Sequence, residues 1–260
     1  MHLLLPPSEG KRVAAEGAPL HLESLSYPRL GPLRRTMVDA VAIWCATDPE
    51  GARAALGLGP NLAGEIERNA RVTHAPCAPA WWTYSGVLYG ALDAESLDSA
   101  ARERLARRTS VASALLGLVG LGDAIPAYRL SAGSAVPGVG GCAAFWRKEV
   151  SAAIATMPGL LVDLRSGDYV QCGPIPKEIA ERTVVPRVLQ AVEGGPPKVV
   201  THFNKATKGR IVRATALLAR DPETPHEFAD WVESTGVDVV LHPPASTAKP
   251  WDMDIIVRTV

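Results

Sequence analysis

The 260 residues carry 27 basic and 27 acidic side chains, so the chain has no formal net charge, and 47% of it is hydrophobic. This composition belongs to an ordinary folded protein with a substantial core. It excludes nucleic-acid binding by overall charge, so any such binding must come from a local basic patch.

Cys45, Cys77, Cys142 and Cys172 lie far apart with no C-x-x-C pair, and read as reduced thiols of a cytoplasmic protein. The apolar run 1–5 stops at Pro6-Pro7, too short for a secretory leader. No stretch reaches about 18 uninterrupted apolar residues, so no membrane span is expected.

His2-Leu-Leu-Leu5 is a buried-strand pattern closed by two prolines, and Ser8-Glu9-Gly10-Lys11 is the loop after it. Helical spacing covers 33–46, and Asp48-Pro49 starts a second helix over 49–56, with aspartate as cap and proline at the first position. Residues 62–71 are helical again, joined to it through Gly57-Leu-Gly59-Pro60, whose glycines permit a tight connection. The pattern fits a plain structural turn and also resembles a helix-hairpin-helix element, in which hairpin N–H groups touch a DNA phosphate.

Residues 76–89 hold the densest aromatic cluster, Trp81, Trp82, Tyr84 and Tyr89, suited to core, groove wall or base stacking. A helix over 99–108 carries Arg102, Arg104, Arg107 and Arg108, as a solvated face or a second basic surface. After an apolar, glycine-rich stretch at 111–122, residues 143–155 form an amphipathic helix expected to bury Phe145, Trp146, Val150 and Ile154. Strands are expected at 160–164, 186–192, 198–201, 237–241 (fully buried) and 255–257, and helices at 211–218 and 226–234. Interleaved elements without repeats or a linker predict one compact mixed α/β (α+β) domain over 1–260, with a mainly helical insertion at about 33–110.

Between Lys198 and Arg220 stand six basic residues, Lys198, Lys205, Lys208, Arg210, Arg213 and Arg220, and no acid. Val199 and Val200 lead in like a strand end, which puts Lys205, Lys208 and Arg210 at a strand-to-helix junction, where free N–H groups and the helix dipole attract phosphate. A solvated helix start would carry the same charges.

Cofactor and metal patterns are missing: there is no G-x-x-x-x-G-K-[ST], Gly57-Leu-Gly59 lacks the third glycine of a dinucleotide fingerprint, and no H-E-x-x-H occurs. A metal site assembled from distant residues, for example His202 and His242 at two expected strand ends, is the lesser reading, since such histidines are more often structural. Ser8-Glu-Gly-Lys11 matches S-x-x-K, but the preceding prolines and the internal glycine argue for a loop, and no S-D-N or K-T-G accompanies it. Lys11 reads better as a charge at the C-terminal edge of a strand, where open α/β sheets place ligands.

Several segments recur in one order: the N-terminal strand with its Pro/Ser loop and Lys11, Tyr84-Ser-Gly-Val-Leu-Tyr-Gly-Ala-Leu, Ser113-Ala-Leu-Leu-Gly-Leu-Val-Gly, Pro126-Ala-Tyr-Arg-Leu, Phe145-Trp, Leu161-Val-Asp-Leu-Arg-Ser-Gly-Asp-Tyr169 and Lys205-Ala-Thr-Lys-Gly-Arg210. In that order the chain resembles the YaaA family of peroxide-stress proteins. The resemblance implies one α/β fold with a central mixed sheet, a positively charged cleft and a helix-hairpin-helix element, and DNA binding that limits oxidative damage when hydrogen peroxide and free iron are present. By motif, Lys11, Arg129, Lys205, Lys208 and Arg210 would line the cleft, and Gly57 and Gly59 would form the hairpin.

Two departures stand out: the family's Asn-Leu-Ala-Ser is Asp163-Leu-Arg-Ser166 here, and its Gly-Leu-Tyr-Gly loses the tyrosine at Val119. The first places an acid and an arginine near the cleft. A second reading is an enzyme acting on a small phosphorylated or nucleotide-like anion in the same cleft, with Ser8, Glu9 or Asp168 as candidate catalytic groups. No cofactor and no membrane partner are expected.

Overall fold

The computed structural model describes residues 1–192, 195–199 and 201–258; the side chains of 196, 199 and 201–203 lie outside that description. Strand β1 (His2–Leu5) is buried along its whole length. Helix α1 (Gly31–Thr47) follows and buries Met37, Val38, Val41, Trp44 and Cys45, one stripe at helical spacing. Helix α2 (Pro49–Ala55) starts as expected, with Asp48 Oδ1 accepting the Gly51 N–H at 2.9 Å and proline in the first turn.

The turn from α2 into α3 (Ala63–Ala70) is a Schellman cap. Gly57 sits at φ +63°, its N–H donates to Ala54 O, and the Leu58 N–H donates to Arg53 O. Leu58 is buried, and a short 3-10 turn, Pro60–Leu62, delivers the chain into α3. Two of the turn's N–H groups are therefore already used inside the hairpin. Among the described residues the Gly59 N–H has no acceptor.

Next come β2 (Ala78–Pro79), α4 (Ala80–Thr83), α5 (Val87–Leu92) and α6 (Ser99–Arg107), so the segment between the first two strands of the main sheet is mainly helical. The α6 arginines do not form a second basic surface. Arg102 lies over the Trp81 ring, Arg104 donates to Ala216 O, Arg107 reaches Glu103, and Arg108 just beyond pairs with Asp221. Strands β3 (Thr109–Ser113) and β4 (Gly117–Gly120) make a fully buried hairpin. Strands β5 (Ala124–Ile125), β6 (Ala135–Val136) and β7 (Gly140–Gly141) form small two-stranded pairings outside the main sheet, β5 with β2 and β6 with β7. Helix α7 (Cys142–Ala155) buries Trp146, Val150 and Ile154, while Phe145 is half-buried and packs edge-on against Trp146.

The C-terminal half supplies β8 (Leu161–Asp163), α8 (Gly167–Gln171), β9 (Thr183–Val192), β10 (Gly195–Val199), α9 (Thr201–Thr215), α10 (Pro225–Ser234), β11 (Asp238–His242) and β12 (Trp251–Val257). Among the described residues eight strands form one mixed sheet, ordered β11-β12-β9-β8-β1-β3-β4, with β10 added to β9. Strands β12, β9, β8, β1 and β3 run parallel to one another, while β11, β4 and β10 pair antiparallel with β12, β3 and β9. The hydrophobic core is contiguous from Leu3 in β1 to Ile255 in β12.

Three expectations needed correction. Helix α9 begins at Thr201, ten residues before its apolar run, so Lys205, Lys208 and Arg210 lie within the helix and not at a strand-to-helix junction. The run Thr201 to Arg210 is too polar for hydrophobic spacing to reveal a helix; packing against α5 holds it. Strand β11 is a half-exposed edge paired, among the described residues, only with β12, with Val240 facing solvent; an apolar run reads alike in a buried strand and an edge. Strands β9 and β12 are each longer than predicted, and their mutual pairing over 184–190 carries the extra residues.

Candidate functional site

Neighbouring strands β1 and β8 leave the sheet in opposite directions, β1 toward β3 and β8 toward β9. That divergence opens a crevice at their C-terminal ends, the place where open parallel sheets bind ligands. A pocket of about 690 Å³ lies there, walled by the loop Pro6 to Gly10 after β1, by Leu164 to Ser166 after β8, by the start of α5 at Val87 and Leu88, and by Lys205 and Lys208 of α9. The topology also explains α9. Strand β10 runs back along β9 on the edge shared with β8, and so releases α9 beside the end of β8, where the Lys208 ammonium donates to Leu164 O at 3.2 Å.

Lys11 lies beneath the loop wall of this pocket. Its ammonium donates to Ser8 O at 2.8 Å and stands 4.0 Å from the centre of the Tyr128 ring and 5.4 Å from that of Tyr84. The two tyrosine hydroxyls share a 3.0 Å hydrogen bond, and Tyr128 reaches Ser113 Oγ at 2.7 Å, so the rings are fixed before any ligand arrives. Lys11 contacts the Ser8 carbonyl rather than its hydroxyl, which donates to Gly10 O and accepts the Ser85 N–H. The S-x-x-K spacing is therefore a loop clasp, with no serine activated by lysine.

Burial, and then the nearby Arg129, push the Lys11 ammonium down from the usual 10.5 to about 7. The folded protein then gives up this proton near pH 7, while the unfolded chain holds it to about 10.5, so Lys11 makes folding stability rise with pH across that window. Urea titrations at the two ends of the window should show that rise in the wild-type protein and a smaller one in Lys11→Met. Equal rises in both would contradict the burial of this ammonium.

Arg129 is held from both sides. Asn69 of α3, fully buried, donates to Arg129 O and accepts the Arg129 N–H, both at 2.8 Å, while the guanidinium meets Glu9 at 2.7 Å. Arg129, Glu9 and Leu56 line a smaller cavity that shares Glu9 and Ser131 with the main pocket. The hairpin helix α3 is thus tied to the loop that carries Arg129. Nothing in the sequence singles out Asn69, since a lone asparagine on a helix gives no pattern.

Of the cleft residues expected from motifs, Lys205 and Lys208 line the pocket, Arg129 lines the adjoining cavity, and Lys11 lies behind the loop. Arg210 is exposed and lines neither. Burial lowers the Lys208 pKa, against the opposing effect of Asp163. Among the described residues no carboxylate pairs with Lys205 or Arg210. The outer members of the basic run are less free than their sequence suggested: Arg213 donates to Leu92 O at 3.0 Å, and Arg220 lies near Glu223 and Glu227. Glu9 and Asp168 both line the pocket, Glu9 already engaged by Arg129.

A family profile described as peroxide stress protein YaaA matches residues 1–236. The chain belongs to the YaaA peroxide stress protein family. A UPF0246 protein of Streptomyces coelicolor is 43% identical to it, covering 100% of both chains. UPF0246 proteins of Corynebacterium efficiens and Corynebacterium glutamicum are 40% and 37% identical, each covering over nine-tenths of both chains.

The departure from the YaaA pattern at residues 163 and 165 now has a physical account. Asp163 and Arg165 pair with each other in two nearly parallel bonds of 2.7 and 2.8 Å, with side chains 2% and 0% exposed. Arg165 also donates to Gly173 O at 2.9 Å. The acid and the arginine cancel, so this departure leaves the charge of the pocket unchanged.

Among the described residues no three His, Cys, Asp or Glu side chains stand together as metal ligands. His242 bonds Asp254 at 2.8 Å, and the side chain of His202 lies outside the described residues. All four cysteines are free and buried. Among the described residues no helix is long and apolar enough to cross a membrane.

Proposed function

We propose that this YaaA protein binds DNA by its phosphates in the cytoplasm and so protects it during peroxide stress and limits free-iron damage. The observation that carries this reading is the uncommitted charge of α9: Lys205 and Arg210 are exposed and have no carboxylate partner among the described residues, whereas Arg102, Arg104, Arg108 and Arg213 are tied to carbonyls or acids. The unpartnered Gly59 N–H of the hairpin would supply a second phosphate contact, and Arg129, tied to the hairpin helix through Asn69, would join it only by exchanging Glu9 for a phosphate. Such contacts position a protein on DNA without reading its sequence, so binding is strongly salt-dependent and tolerant of sequence. Free, buried thiols suit a reducing compartment.

A salt titration with duplex, bubble and single-stranded DNA tests the reading. The double variant Lys205→Ala/Arg210→Ala should bind more weakly, with the slope of log affinity against log salt flattened by about 0.9 for each phosphate no longer neutralised. A folded double variant with unchanged affinity and slope would sink the assignment.

A further inference from the structure

The pocket at the ends of β1 and β8 has dimensions and chemistry that a surface for duplex DNA does not require. Its volume of about 690 Å³ lies inside the range of roughly 300–1,000 Å³ typical of small-molecule sites, too small for a duplex and ample for one nucleotide. Within its walls Arg165 is neutralised by Asp163, and Glu9 is held by Arg129. Two lysines, Lys205 and Lys208, then face one remaining carboxylate, Asp168, which suits a ligand with a single anionic group. Lys208 is half-buried and, among the described residues, makes one hydrogen bond, to Leu164 O, so two of its three ammonium donors remain for a ligand. Burial favours its neutral form, and a phosphate beside it would reverse that preference. The apolar part of the lining is formed by Pro6, Pro7, Val87 and Leu88.

We infer that this pocket binds a single nucleotide unit, its phosphate at Lys205 and Lys208 and its base against the wall of Pro6, Pro7, Val87 and Leu88. A nucleotide combines one anion with a flat apolar face and polar edges, and Asn204 and Asp168 line the same pocket as partners for those edges. The unit has two sources, a free nucleotide or one unstacked from DNA, and only the second rests on the DNA-binding reading.

Calorimetric titration of the full chain with AMP, GMP, CMP and dTMP, beside inorganic phosphate and the nucleosides, tests the inference. At least one monophosphate should bind about tenfold more tightly than either phosphate or its nucleoside, since charge and apolar wall both contribute. Lys208→Met should weaken it by about tenfold or more, the worth of a charged hydrogen bond. Ser131→Trp, which crowds the pocket at an exposed rim position without changing charge, should abolish it. Competition with a duplex carrying one unpaired nucleotide assigns the source to DNA, and binding without competition assigns it to the free nucleotide. The inference is overturned if no monophosphate binds better than phosphate, or if binding survives both substitutions. Salt-dependent duplex binding without nucleotide binding overturns this inference alone, and nucleotide binding without duplex binding overturns the DNA reading alone.

Discussion

Arg165→Met is expected to lower the unfolding free energy by about 3–5 kcal/mol, because it leaves the Asp163 carboxylate buried without its partner. Both side chains are almost wholly removed from solvent, and the guanidinium makes two bonds to the carboxylate, one to Gly173 O and a longer one to Tyr169 O. Asp163 also acts on Lys208, so the stranded carboxylate should draw Lys208 from the pocket and weaken ligand binding as well. Replacing both members of the pair, Asp163→Asn with Arg165→Ala, removes both charges and should recover most of the loss, since a buried pair is worth little net against uncharged replacements. Urea denaturation of Asp163→Asn, Arg165→Ala and the double variant, beside Arg165→Met, gives the coupling. If Arg165→Met unfolds at the same urea concentration as wild type, the pair is not what holds the chain after β8.

Gly209→Val is the second large effect, expected at about 1–3 kcal/mol of lost stability, since extra atoms in a filled interface force backbone shifts. A Cβ at Gly209 would stand 2.2 Å from Leu88 O and 2.9 Å from Ala91 Cβ, and backbone cannot yield as a flexible side chain can. Helix α9 would have to move off α5, and both helices line the pocket, with Lys205 and Lys208 on one and Val87 and Leu88 on the other. Binding should therefore fall along with stability. Gly90→Ala serves as the control: it lies in α5 with open space around its Cβ, and should stabilise by roughly 0.5–1 kcal/mol through helix propensity. Thermal unfolding of both variants would settle the matter, and a Gly209→Val protein as stable as wild type would show that α5 and α9 are not locked at this crossing.

Much of the fold could be read from local pattern because its causes are local. The buried strand His2–Leu5, the Asp48-Pro49 helix start and the apolar stripe of Trp146, Val150 and Ile154 each follow from spacing and capping within a few residues. Where the cause was a distant neighbour, local reading failed. The polar start of α9 is held against α5, and the length of β9 comes from pairing with β12, some 67 residues further on. The site divides in the same way. Lys205, Lys208 and Arg129 were legible as charges in motifs, but their standing was not: Arg213 and Arg220, equal to them in sequence, are committed to nearby acceptors, and Arg210 lies outside the pocket.

Composition, caps, hydrophobic spacing and the order of motifs sufficed to determine a folded mixed α/β chain of the YaaA family with an acid-free basic run between residues 198 and 220. These properties are written along the chain, within the reach of one turn or one strand. The crevice between β1 and β8, the tie from Asn69 to Arg129, the mutual cancellation of Asp163 and Arg165, and the close crossing at Gly209 depend on which strands lie side by side and where helices meet. Packing between elements far apart in sequence sets those, and so it is the folded arrangement that turns a basic stretch into a pocket.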